Sequence, residues 1–132
     1  MIVIDASALL EMLLKTDVAE QITSRVLSAA ESLHAPHLLD IEVSQALRRL
    51  VQQQDVSARR GEEALEDLEQ LVIERHPHLS LLTRIWQLRN ALTAYDAAYV
   101  ALSEALAAPL LTCDAKLARA HGHRARIELI ER

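Results

Sequence analysis

Met1-Ile2-Val3-Ile4-Asp5-Ala6-Ser7-Ala8-Leu9-Leu10 decides the reading of this chain. Three aliphatic residues run straight into an acid and then into an apolar pattern with helical spacing. A short continuous apolar run closed by a polar turn suits a strand buried on both faces, as in a parallel sheet. In such sheets ligands bind in the crevice at the carboxyl ends of the strands. Asp5 is therefore expected at that edge, anchored by the most buried strand and followed by a helix from Ala6 or Ser7 to about Lys15.

The rest of the chain repeats this alternation. A second helix is expected after Asp17 as its cap, with Val18, Ile22, Val26 and Leu27 on one stripe. Leu33-His34-Ala35 is a short strand closed by Pro36, from which a long helix runs to about Gln54 with Leu39, Val43, Ala46, Leu47 and Leu50 inward. Ser57 opens a charged amphipathic helix to Leu71, and Leu71-Val72-Ile73 reads as the third strand. His76-Pro77-His78 is a loop, Ser80 to Ala91 a helix, and Thr93 opens a nearly all-apolar helix ending near Ala108. Leu110-Leu111-Thr112 is a fourth strand, Asp114 to His121 a short helix stopped by Gly122, and Arg126 to Ile130 a last strand. Short strands separated by helices imply a parallel sheet with right-handed crossovers.

Composition sets the bounds. A length of 132 residues suits one domain, and no linker, repeat or low-complexity tract divides it. Two Gly and three Pro are too few for an all-β fold with its many turns. The net charge of −5 does not mark a nucleic-acid binder by itself. Of 14 basic residues, however, all but Lys15 and Lys116 are arginine, the side chain suited to bidentate phosphate contact. Trp86, Tyr95 and Tyr99 are too few for a stacking platform for single strands. A single cysteine, Cys113, excludes an intrachain disulfide and fits a reducing cytoplasm. No signal-peptide pattern or membrane-spanning apolar run is present, so no membrane partner is expected.

Four acids stand out, each with an ordinary explanation. Asp5 and Asp114 each precede a helix and could cap it, as could Ser7 and Thr112 nearby. Asp96 completes a Thr-x-x-Asp pattern close to a capping box. Glu42 lies more than a turn inside its helix, between Leu39 and Ala46, on the edge of the apolar stripe. A short carboxylate there needs something that compensates it. Strand ends and helix starts share one rim in a parallel α/β sheet. Two carboxylates ~5 Å apart repel by roughly 3 kcal/mol at an effective dielectric of about 20, so four together require raised pKa values or a cation. An all-oxygen nest suits Mg²⁺ or Mn²⁺.

Four stretches then match a known family: Ile-Val-Ile-Asp5-Ala-Ser7-Ala-Leu, Glu42 in the helix after Pro36, Tyr95-Asp96-Ala-Ala-Tyr99-Val-Ala-Leu, and Leu-Leu-Thr112-Cys-Asp114-Ala-Lys-Leu-Ala. In order and spacing the chain resembles the PIN-domain ribonucleases, and within them the VapC toxins of VapBC toxin–antitoxin pairs. The resemblance implies one PIN domain over 1–132, an α/β fold with a parallel five-stranded sheet in the order 3-2-1-4-5, and metal-dependent endonucleolytic cleavage of RNA. It implies homodimers and a cognate VapB-like antitoxin lying across the groove. It makes Asp5 and Asp96 metal ligands, Asp114 a ligand directly or through water, and Glu42 the group orienting water, with Ser7 and Thr112 in support. Leu117 and Arg119 stand where some members carry a further acid.

Other residues weigh less. His76, His78, His121, His123, His34 and His37 lie beside Pro or Gly and read as solvated loop residues, without zinc-finger spacing. Cys113 reads as a buried strand thiol. Arg48-Arg49 and Arg59-Arg60 are helix faces offered for RNA or partner contact. The rival from another class is a non-catalytic PIN fold that binds RNA or protein; loss of one acid would signal it, and all four are present.

Overall fold

Ile2–Ile4 forms β1, and all three of its side chains are out of water. The computed structural model describes residues 1–132, the side chain of Ala29 excepted. β1 is the middle strand of a five-stranded parallel sheet. On one side it pairs with β2 (Leu33–Pro36), Val3 opposite His34; on the other with β4 (Leu110–Thr112), Val3 opposite Leu110. The edges are β3 (Ile73–His76) beside β2 and β5 (Ile127–Leu129) beside β4. The order is β3-β2-β1-β4-β5, as expected, and its winding reverses between β1 and β4. In such a sheet the crevice outside the strand ends opens at that reversal.

The helices cover the sheet because their apolar stripes have no other partner. They are α1 (Ala6–Leu14), α2 (Ala19–Leu27), α3 (Leu38–Gln52), α4 (Ala58–Gln70), α5 (Leu82–Gln87), α6 (Ala94–Leu106) and α7 (Ala115–Ala118). α1 packs on α2, α3 and α4, while α6 lies against β1, β2 and β4. α6 is buried on every side from Ala97 through Ser103. Its alanines let the backbone lie close to the sheet, and burial all round explains why the segment carries so little charge. No helix is long and apolar enough to cross a membrane among the described residues.

Three expected boundaries move. The third strand is Ile73–His76, not Leu71-Val72-Ile73, and Val72 is 92% exposed. Leu71 belongs to the end of α4, its N–H bonding Asp67 and Leu68 carbonyls. The strand that follows is an edge strand, so Glu74, Arg75 and His76 are tolerated in it; Arg75 makes a bidentate pair with Asp40. α2 starts without a side-chain cap at Val18. Lys15 ends α1 in the left-handed region (φ 55°) and the Ala19 N–H bonds the Thr16 carbonyl, so Asp17 falls inside the connecting turn. The expected helix over Ser80 to Ala91 is broken into a 3-10 turn (Leu79–Leu81), α5 and further turns, leaving Trp86 exposed with Arg89 stacked on its ring.

Candidate active site

β1 ends at Ile4, and Asp5 continues the ladder by one bond, its N–H donating to the Leu111 carbonyl of β4 at 3.2 Å. Its backbone is extended (φ −92°, ψ 173°), which makes it the N-cap of α1. Oδ1 accepts from the Ala8 N–H at 3.0 Å and from the Ser7 hydroxyl at 2.7 Å. Oδ2 accepts from the Thr112 hydroxyl. A carboxylate offers about four acceptor sites, and three are filled here.

The two hydroxyls are fixed in turn. Ser7 Oγ accepts from the Cys113 N–H at 2.9 Å, and Thr112 Oγ1 accepts from the Asp114 N–H at 3.0 Å. Each hydroxyl has one hydrogen, already donated to Asp5, so the 3.2 Å contact between them is proximity rather than a further bond. β4 is thereby tied to the Asp5 carboxylate from two successive residues. Asp114 caps α7 with Oδ1 alone, which accepts from the Lys116 and Leu117 amides at 2.9 and 3.3 Å.

Glu42 comes from α3 and Asp96 from α6. Thr93 caps α6 by accepting from the Asp96 N–H at 3.2 Å. The Tyr99 hydroxyl, one turn further along α6, donates to Glu42 Oε1 at 2.6 Å. Tyr99 is 1% exposed, and burial together with this carboxylate pushes its phenol far above the ordinary range. Burial raises the pKa of Asp5, Glu42 and Asp96 alike. Repulsion adds to each: from Asp96 at Asp5, from Asp96 and Asp5 at Glu42, and from Asp114 at Asp96. The fold thus links the four acids in one chain of repulsion, with Asp96 as the member that reaches Asp5, Glu42 and Asp114.

The donor set fits a hard cation. It is carboxylate oxygen throughout, since Cys113 is buried and its thiol is pushed up by burial rather than readied as a ligand. Beside the acids runs a groove of about 580 Å³, lined by Ser7, Glu42, Arg49, Tyr95 and Arg132 among others. An adjoining apolar groove of about 420 Å³ shares Leu38, Ile41 and Tyr95.

Of the four arginines singled out, Arg49 alone lines the groove at the acids. Arg48 faces the cleft between α3 and α4, Arg59 pairs with Glu63, and Arg60 donates to the Leu13 carbonyl at 2.6 Å, clamping α4 to the end of α1. Three residues escaped the sequence reading as contributors: Tyr99 as the partner of Glu42, Lys116 beside Asp96, and Arg132 in the groove. Tyr99 sits three residues past Asp96, on the same helix face, which was the available signal. The histidines also differ from expectation. His34 lies on the expected strand but is 3% exposed rather than solvated, and it bonds His76, which ends β3 instead of lying in a loop.

Comparison with known proteins bears on the family and the fold. Residues 2–122 match the PIN domain model. The chain is 48% identical over 117 residues to VapC ribonuclease Mb0985 of Mycobacterium bovis, covering 89% of this chain and 88% of that protein. It is 42% identical over 130 residues to ribonuclease VapC12 of Mycobacterium tuberculosis, covering 98% and 99%. Among solved structures, PAE2754 of Pyrobaculum aerophilum superposes with a TM-score of 0.68 at 23% identity, over 96% of this chain and 81% of that one. The Mycobacterium tuberculosis toxin VapC20, described as cleaving the sarcin–ricin loop, gives 0.66 at 12% identity, over 89% and 93%. A carboxylate-rimmed switch point in a 3-2-1-4-5 sheet, together with these relatives, places the chain in the PIN-domain family, among the VapC ribonucleases.

Proposed function

We propose that this chain, as one PIN domain over residues 1–132, is a Mg²⁺- or Mn²⁺-dependent endoribonuclease, the toxin of a pair neutralised by a cognate VapB-like antitoxin. The single observation that supports it best is the gathering of four acids at one rim, where Thr112 ties the Asp5 carboxylate to the Asp114 amide and Tyr99, three residues past Asp96, holds Glu42. Carboxylates so placed are tolerable with a divalent ion among them. Asp5, Asp96 and Asp114 would hold it. When bound, such an ion offsets charge on a phosphodiester and lowers the pKa of a water.

The chain's own groups do the rest. Ser7 and Thr112 orient Asp5 through both its oxygens. Glu42, with Oε1 held by Tyr99, leaves Oε2 to accept a hydrogen bond from the attacking water and aim it at phosphorus. Arg49 gives the groove positive charge for the RNA backbone and Lys116 does so beside Asp96, while Arg132, also in the groove, is paired with Glu11 at 2.7 Å. The apolar groove at Ile41, Leu82 and Tyr95 suits an antitoxin segment lying across the site, and exposed Leu79 and Trp86 suit a homodimer.

Asp5→Asn and Asp96→Asn test the assignment, because each removes charge with little change in volume. Both are expected to abolish RNA cleavage in Mg²⁺ while circular dichroism stays that of the parent. A variant cleaving as fast as the parent overturns the role of that residue.

A further inference from the structure

A second group of ligand-type side chains lies away from the acids, between the two strands on the opposite side of β1 from β4. β2 and β3 pair with His34 opposite Glu74 and Pro36 opposite His76. Alternation along a strand then puts His34, Glu74 and His76 on one face of the sheet. His34 Nδ1 stands 2.9 Å from His76 Nε2 and 3.5 Å from Glu74 Oε2. Each of the three offers one ligand atom, and all of these lie within 4.8 Å of one another. Around a tetrahedral zinc ion, with bonds near 2.0–2.1 Å, ligand atoms are about 3.3 Å apart. The two observed spacings bracket that value.

The surroundings agree. His34 Nε2 is 2.8 Å from Ser32 Oγ. A ligating imidazole ordinarily gives its other N–H to such an oxygen, which fixes the tautomer with the opposite nitrogen free. His34 is buried whereas the Glu74 side chain is 67% exposed, so the site has a rigid floor and an open side for entry. In the metal-free chain His76 Nε2–H donates to His34 Nδ1, and on metal binding that proton passes to His76 Nδ1, leaving both facing nitrogens free as ligands.

We propose that His34 Nδ1, His76 Nε2 and a Glu74 oxygen form a transition-metal site of the zinc class, with water completing the tetrahedron. It differs in chemistry from the all-oxygen rim, and imidazole selects Zn²⁺, Co²⁺ or Ni²⁺ over Mg²⁺. Its mechanical effect is to cross-link edge strand β3 to β2 at the point where the chain leaves for His78 and Leu82, which line the apolar groove.

The test uses the tag-free chain, stripped by chelator and held in excess Mg²⁺ so that the carboxylate rim is filled. Titration with Co²⁺ followed by visible absorption, and with Zn²⁺ by calorimetry, is expected to give one ion per chain, intense tetrahedral bands that Zn²⁺ bleaches, and a higher melting temperature in Zn²⁺. His76→Gln should weaken binding by at least about 100-fold and remove the thermal shift, and Ser32→Ala should weaken it by roughly 10- to 100-fold. Glu74→Gln, at an exposed position, gives a second variant should His76→Gln fold poorly. Absence of binding, weak octahedral bands only, or equal affinity in parent, His76→Gln and Glu74→Gln overturns the site. These readouts need no nuclease activity, so the site stands or falls independently of the proposed function.

Discussion

Replacing Thr112 by valine tests whether the strand-to-strand hydroxyl clamp holds the acid rim. Thr112 is fully buried, and its hydroxyl donates to Asp5 Oδ2 while accepting from the Asp114 N–H. Valine keeps the shape and removes both bonds. A bond to a charged group contributes about 1.5–3 kcal/mol, and a buried amide left without an acceptor costs about 1–3 kcal/mol. The added methyl returns about 0.8 kcal/mol. The net expectation is a loss of about 2–5 kcal/mol, against the about 5–15 kcal/mol by which a domain is stable. Serine is the opposite control. It keeps both bonds and deletes one buried methyl, a change costing about 0.5–1.5 kcal/mol by analogy with Ile→Val. Urea unfolding of the three proteins at one pH, with equal m-values, measures both differences. RNA cleavage should follow the same order, surviving in Thr112→Ser and falling in Thr112→Val as Asp5 and Asp114 lose their shared anchor. If Thr112→Ser is the less stable variant, the methyl rather than the hydroxyl carries the position and the clamp is refuted.

Tyr99→Phe removes the donor to Glu42 while the ring stays buried, so kcat for RNA cleavage should fall about tenfold, the equivalent of about 1.4 kcal/mol, with KM unchanged; an unaltered kcat removes Tyr99 from the positioning of Glu42. Glu104→Gln should cost about 2–3 kcal/mol at neutral pH, less than a fully buried pair because Arg84 is part-exposed. Its bidentate bond to Arg84 holds Glu104 below its ordinary value of 4.5, so this stability is complete above that value and disappears as pH falls through the depressed one. Urea midpoints of parent and variant should therefore converge in acid, and a constant gap would contradict the assignment. Chelator should lower the parent's melting temperature relative to Mg²⁺ by exposing carboxylate repulsion, and Asp96→Asn should shrink that difference.

What could be read from the sequence was whatever the chain encodes locally. β1 is apolar throughout and β4 is apolar up to Thr112 because both faces are covered, and that pattern survives translation into one dimension. β3 is an edge strand, carries Glu74, Arg75 and His76, and so shows no apolar signal, while the more apolar Leu71-Val72 beside it belongs to the end of α4 and the turn beyond. Pairings across the chain were invisible for a different reason. Tyr99 meets Glu42 over 57 residues and His34 meets His76 over 42. Neither partner carries a local mark of the other. Arg60 illustrates the reverse error, a surface-looking cation whose guanidinium is occupied by a main-chain carbonyl.

Capping and ligand binding looked like rival explanations of Asp5 and Asp114, and the geometry makes them compatible. A helix N-cap must hold its carboxylate at a fixed angle to the first turn, with amide hydrogens on one oxygen. Asp114 does this with Oδ1 on two amides, which turns Oδ2 away from α7. Asp5 does it with Oδ1 on Ala8, while Oδ2 meets the hydroxyl from β4. The cap thus supplies the rigidity that a ligand carboxylate needs, and parallel strands deliver two such caps to adjacent positions because β1 and β4 are neighbours. Repulsion is the cost of that placement, reaching Asp5 from Asp96 and Asp96 from Asp114, and it falls on groups tethered in place. A rim built from strand-end caps therefore stays close and short of counter-charge, which raises its carboxyl pKa values and would suit a divalent cation.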